Sequence, residues 1–272
     1  MESLYKLRNW VQIDKLSWMW LSGNPNAISL LEKNLEKIDW TILSKNPNAI
    51  PILEKNINKI NWNYLSINPN AIHLLEQNMN RTNLGLLSAN PNAIHILEKN
   101  LDKIDWYCLS ENPNAIHLLE QNIDKINWMK LCYNRNAIHL IEKKLEENIF
   151  KRNDLWMLSM NPNAVSLLEK HLELIDWWFL SKNPNSVHFL EKNLDKIDWI
   201  PLSSNPNAIH LLEKNLDKID WLFLSKNPNI FELDYGFLKQ RMDIVREELM
   251  MKAWHPSRVE KWLDAGMELE DF

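Results

Sequence analysis

Apolar and polar positions recur along this chain with a long period. Asn-Pro-Asn-Ala-Ile begins at Asn24, Asn46, Asn68, Asn90 and Asn112. Further copies begin at Asn134 (Arg135 for Pro), Asn161 (Val165 for Ile), Asn183 (Ser186, Val187), Asn205 and Asn227. The step is 22 residues, except for 27 between Asn134 and Asn161. Ten copies span residues 17–230, and such a period marks stacked supersecondary units.

Each copy predicts two short helices. In the second, Asn24 is a good N-cap and Pro25 fits the first helical position. Ala27, Ile28, Leu30, Leu31 and Leu35 share one arc of a helical wheel, with Ser29, Glu32 and Lys33 opposite. Asn34 fits a left-handed terminator, repeated at Asn56, Asn78, Asn100, Asn122, Asn193 and Asn215. The first helix opens on an N-cap former in all ten repeats: Ser17, Asp39, Asn61, Asn83, Asp105, Asn127, Asp154, Asp176, Asp198 and Asp220. Trp18 and Leu21 then lie on one face, and Leu84 and Leu155 replace Trp in two repeats. The Trp column is expected to fill the core between repeats rather than to bind a ligand. These signals predict an all-α chain, an α-solenoid of ten 22-residue two-helix repeats, of unspecified hand. A leucine-rich horseshoe is the rival. Asp or Asn where that pattern needs an apolar residue, and Pro after the Asn, count against it.

Residues 1–16 and 231–272 lie outside the array and are expected to form helical N- and C-terminal caps. In the second, 233–253 reads as one long helix. Pro256 starts another, with Gly266 as its terminator. The five-residue insertion falls near 144–153, where Lys144 replaces the terminating Asn and the helix is expected to run on by more than a turn. A bend or phase shift of the superhelix is expected there.

The string Asn-Pro-Asn-Ala-Ile-His-Leu-Leu-Glu-Lys-Asn-Leu-Asp-Lys-Ile-Asp-Trp resembles tandem-repeat proteins of giant, mimivirus-like DNA viruses. The tail from Ala253 to Gly266 is similar to a C-terminal segment of such proteins, and the Asn, Ile and Lys bias fits an A/T-rich genome. The resemblance implies a viral protein in the host cytoplasm, the viral factory or the virion. It carries no activity and no functional residue.

Composition narrows the function classes. With 31 basic and 36 acidic residues the net charge is −5, which argues against a surface devoted to nucleic acid. Two cysteines supply neither a disulfide framework nor a zinc site. No apolar run is long enough to span a membrane and no signal peptide opens the chain, so an intracellular location is expected.

Candidate chemistry is sparse. His73, His95, His117, His139, His188 and His210 form a column on the exposed face of the second helix. Its spacing is too wide for a shared metal ion, so surface histidines multiplied by duplication are expected and no metal. Glu32-Lys33 and its copies read as a solvated stripe with weak ion pairs. The Ser22 column has no positioned base. Cys132 with Arg135 reads as repeat drift rather than an activated thiol. No catalytic residue, cofactor or small-molecule substrate is assigned.

The variable positions carry the functional reading. One follows the Trp and one precedes the Asn-Pro. From the fifth repeat onward they hold large apolar residues: Tyr107, Met129, Tyr133, Trp156, Met160, Trp178, Ile200 and Leu222. If exposed, they form a patch for a partner helix or extended peptide. The alternative is that the C-terminal helices cover them. The expected function is a non-enzymatic scaffold for protein–protein interaction. One alternative is a single-stranded RNA- or DNA-binding solenoid using Lys45, Lys182 and Lys226 beside the aromatics, disfavoured by the acidic balance. The other is a virion structural or assembly component.

Overall fold

The computed structural model describes residues 5–147 and 155–266. The chain divides into two compact units: residues 8–231, and residues 1–7 with 232–272. Unit 8–231 holds the repeats and is an all-α solenoid. Its first helices, such as Trp18–Ser22 and Trp40–Ser44, are short, and each packs on the first helix of the next repeat. Second helices such as Ile28–Glu32 are equally short, and a 3-10 turn such as Leu35–Lys37 ends the repeat.

Helices this short leave most of their backbone groups without internal partners. The repeat solves this with its polar residues. In all eight repeats from Asp39 to Asp220 whose opening residue is described, its side chain accepts an amide of the first turn. Asp154 lies outside the described residues. Ser17 differs, since its side chain caps nothing and its own amide donates to Ser225 Oγ at 2.8 Å.

The Asn of each Asn-Pro does more than cap. Asn46 Oδ1 accepts the Asn48 amide, closing a turn around Pro47. The second α-helix begins later, at Ile50. Meanwhile Asn46 Nδ2 donates to Ser22 O and Asn24 O of the preceding repeat, both at 3.0 Å. The same pair of bonds recurs in every repeat, for example from Asn112 to Ser88 O and Asn90 O and from Asn227 to Ser203 O and Asn205 O. A second ladder runs from the next Asn, as Asn48 Nδ2 donates to Pro25 O. Ser22 Oγ donates to Trp18 O and accepts the Asp39 amide, so one hydroxyl ends one helix and holds the start of the next. The core is therefore partly polar: Leu43, Ser44, Asn46, Ala49 and Leu53 are all at most 1% exposed, and their counterparts repeat along the array.

The ladder does not stop at the ends. Asn24, in the first repeat, donates to Ser225 O and Asn227 O of the tenth at 3.1 and 2.9 Å. Asn26 donates to Pro228 O at 2.9 Å. These are the bonds every repeat makes to its predecessor, so the solenoid closes into a ring of ten repeats. The N-terminal residues make the seam. Residues 5–16, expected as part of a helical cap, form no α-helix. Tyr5–Leu7 is a strand paired with Phe231–Leu233, and Ile13–Lys15 is a 3-10 turn. Ile13, Lys15 and Leu16 stand where Leu35, Lys37 and Ile38 stand in the first repeat. They complete the tenth repeat, whose own chain leaves after the turn Pro228–Ile230. Arg8 and Trp10 fix this join through Glu213 Oε1, at 3.0 and 2.8 Å.

Four other expectations change. The terminating Asn residues are not left-handed: Asn34 has φ −140°. Its Nδ2 instead caps Leu30 O at 2.9 Å, as Asn56, Asn78, Asn100, Asn122, Asn193 and Asn215 cap theirs. Leu35 lies beyond the second helix and is exposed, because the helix ends before it. The Trp rings are only half-buried. Most lie under a cation of the repeat's last turn, as Trp18 under Lys37 at 4.5 Å and Trp40 under Lys59 at 4.5 Å, whereas Trp177 stacks on Phe189 at 5.8 Å. Across the seam Lys15 covers Trp221 at 4.9 Å in the same way. Finally, the insertion shifts no phase. The helix does run on, as Ile138–Glu146, but Asn161 still donates to Cys132 O and Asn134 O at 2.8 and 3.0 Å. Residues 148–154 of the insertion lie outside the described ones.

In the other unit, Tyr235–Ala253 and Pro256–Asp264 are helices that bury no side chain, and Gly266 ends the second with φ +86°.

Candidate functional site

The first helix presents three positions off its Leu-bearing core face, some of them buried, as Ile42 and Ser204, and others exposed. They are the two after the Trp and the one before the Asn-Pro turn. Residues of non-adjacent repeats meet here. Trp178 of the eighth repeat lies edge-on to Phe223 of the tenth, with centroids 6.1 Å apart. The charge of Lys45, in the second repeat, acts on Lys182 in the eighth. In a ring only the inward side brings distant repeats together, so these positions line the interior.

Ring closure orders the residues that follow the Trp. From the fifth repeat through the seam to the first they are Tyr107, Met129, Trp156, Trp178, Ile200, Leu222 and Met19. Five of them, Tyr107, Met129, Ile200, Leu222 and Met19, are 40–52% exposed. Thr41, Asn63 and Gly85 complete the circle with small or polar side chains. The apolar arc is therefore continuous, and Met19 joins it only because the ring closes. Sequence reasoning left Met19 out, since its neighbours along the chain are polar at this position.

Trp156 and Trp178 sit in the middle of the arc and are half-buried. Trp156 packs on Phe179 at 4.3 Å, and Trp178 meets the same ring edge-on at 4.6 Å. Met160, before its turn, is half-buried too. Tyr133 belongs to a second cluster. Lys130 lies over Tyr107 and Tyr133 at 4.8 and 5.7 Å and donates to Glu111 at 2.8 Å. Burial, the largest influence, lowers the Lys130 pKa, but the hydrogen bond and charge of Glu111, with Tyr107 and Tyr133, together raise it overall. Burial raises the neighbouring Tyr133 hydroxyl. Burial, then Asp105 and Glu111, raises the Cys108 thiol, which disfavours its thiolate.

The other columns are occupied by structure. Six histidines pair across repeats, each Nε2 lying 2.8–3.3 Å from a Glu of the preceding repeat, as His73 with Glu54 and His210 with Glu191. The expected Glu–Lys stripe thus gives way to a His–Glu one. Among the described residues no group of three or more His, Cys, Asp or Glu is placed to hold a metal ion. Cys132 is buried in the Ser column and its Sγ donates to Trp128 O at 3.4 Å, as the serines do. Among the described residues no helix is long and apolar enough to cross a membrane.

Compared with known proteins, the chain matches no family model, no curated protein and no solved structure.

Proposed function

We propose that the repeat ring is a non-enzymatic binding platform for a protein partner, docked on the apolar arc. The observation that carries this reading is the run of apolar residues at one position through seven adjacent repeats, five of them exposed. Their exposure is not needed for the fold, because the core uses other columns. Such a patch is characteristic of interaction sites. Trp156 and Trp178, packed among Phe179 and Phe223, give it a rigid floor. A helix or extended segment with apolar side chains along one face fits this geometry.

Reading one nucleic-acid base per repeat would require separate stacking platforms. Trp156 and Trp178 already pack on protein rings, which favours the protein partner.

The test is affinity capture from nuclease-treated cell extract, comparing the natural chain with the triple variant Tyr107→Ser, Ile200→Ser, Leu222→Ser. Proteins retained by the former and lost by the latter, at unchanged circular dichroism, are expected. Equal retention by both would remove the arc from consideration.

A further inference from the structure

The position before each Asn-Pro turn carries a second pattern that only the closed ring reveals. From the eighth repeat through the seam to the second it reads Lys182, Ser204, Lys226, Gly23, Lys45. Lysines alternate with small residues over five adjacent repeats. At Gly23 an added Cβ would sit 2.9 Å from Ile42 Cγ2, so the place admits no larger residue without a shift. The same point is 4.0 Å from Lys45 Cε, so the Lys45 stem runs beside Gly23. Ser204 is buried and turns its hydroxyl to Pro201 O at 2.8 Å. Lys226 Nζ stands 3.6 Å from the Trp20 centroid and 4.4 Å from that of Phe223, and Lys45 Nζ 5.9 Å from that of Tyr64. The three ammonium groups thus share one interior arc with aromatic walls.

Among the described residues none of the three forms an ion pair with a carboxylate. Asp220 acts on Lys226 from a distance and partly offsets its charge, but is not within ion-pair reach of it. The opposite arc offers Ile67, Ala89, Glu111, Tyr133 and Met160, and its one acid is bonded to Lys130. Burial and then the neighbouring lysines hold Lys182 and Lys226 below their ordinary pKa. Charges withdrawn from water are ordinarily paired. Here Lys182 and Lys226 are drawn from water without a paired carboxylate, and Lys45 adds a third charge of the same sign to their surroundings, in a chain whose net charge is −5.

We infer that this arc binds a small polyphosphate anion, with Lys45, Lys182 and Lys226 taking its oxygens and Trp20 beside it. Three separate point charges suit a multivalent phosphate chain better than the planar, two-point pairing a carboxylate favours. The phosphates could come from an inorganic chain or from a nucleotide, whose base would stack on Trp20.

The test is calorimetric titration of the full chain at low salt with sodium tripolyphosphate and, separately, ATP. One site per chain is expected. In Lys182→Gln/Lys226→Gln the Kd should rise by about tenfold or more, given the strength of charge-assisted bonds. The outward-facing pair Lys33→Gln/Lys192→Gln should bind as the natural chain does. Tighter binding of ATP than of tripolyphosphate would identify a nucleotide, and equal binding an inorganic chain; both support the site. The interior variant should melt no lower than the natural chain without ligand. If it fails to fold, the single variant Lys45→Gln takes its place. No binding of either anion, or equal binding by the interior variant, overturns the inference. So does binding of a single-stranded oligonucleotide but not of tripolyphosphate. These substitutions leave Tyr107, Ile200 and Leu222 intact, so failure here leaves the protein-docking reading standing.

Discussion

Asn112 shows how much one side chain carries. Its oxygen closes the turn at Asn114, and its amide group reaches Ser88 O and Asn90 O, both buried. Asn112→Ala would take the side-chain donor from Ser88 O, leave Asn90 O with only the Ala93 amide, and remove the turn-closing oxygen, at about 1–3 kcal/mol for a stranded carbonyl and about 1 kcal/mol for the lost cap. A fall of about 2–5 kcal/mol in unfolding free energy is expected from the urea midpoint. Asn114→Ala, at an exposed rung, should cost less. The capping oxygen was legible in the sequence, because Asn before Pro is a local signal. The amide was not, because its partners belong to another repeat. Likewise Asn34 was legible as a terminator but not in how it works. A side-chain amide on the carbonyl four residues back ends a helix without positive φ. The interior lysines give a prediction in pH. Lys182 and Lys226 have folded pKa values below their unfolded ones, so between the two the unfolded state binds more protons. Stability therefore rises with pH across that window, and the penalty is fully present below it. The natural chain should gain on Lys182→Gln/Lys226→Gln as pH climbs towards the ordinary lysine value, measured by denaturation in matched buffers. A constant difference would contradict the assignment.

At the scale of the element, no helix in the repeat is long enough to be stable alone. Each is finished by side chains, many from the next repeat. The starts were legible because the residue before the Trp is an N-cap former in every copy. The ends were not. Leu35 continues the apolar spacing of a helix that has already stopped at Glu32. Asp39→Ala removes the oxygen that accepts the Ile42 amide at 2.9 Å. A loss of about 1 kcal/mol is expected in thermal or urea unfolding. Ser44→Ala should cost more than that cap. Its hydroxyl donates to Trp40 O and accepts the Asn61 amide from the next repeat. The two substitutions compared in one background separate capping within a helix from coupling between helices.

For the repeat body as a whole, closure is what the sequence concealed. The period predicts stacking, but the turn accumulated per repeat is a small geometric quantity that no residue type encodes. Caps were therefore expected at two ends, where the structure has a seam. Removing residues 1–16 should expose the faces of the first and tenth repeats by taking away Lys15, Leu16 and the Arg8 and Trp10 bonds to Glu213. A lower melting temperature and concentration-dependent association in analytical ultracentrifugation are expected. Unchanged association with unchanged melting would show that the seam adds nothing.

Closure also makes copy number a discrete variable. An open array can gain or lose a unit by recombination between near-identical segments, and the product is merely longer or shorter. A circle of ten turns by about 36° at each step, and a circle of nine would need about 40° at every joint. Excising one 22-residue unit should therefore disturb all the remaining joints together, whereas the extra residues between Asn134 and Asn161 disturb none of the ladder bonds, because they lie within a unit and leave the count unchanged.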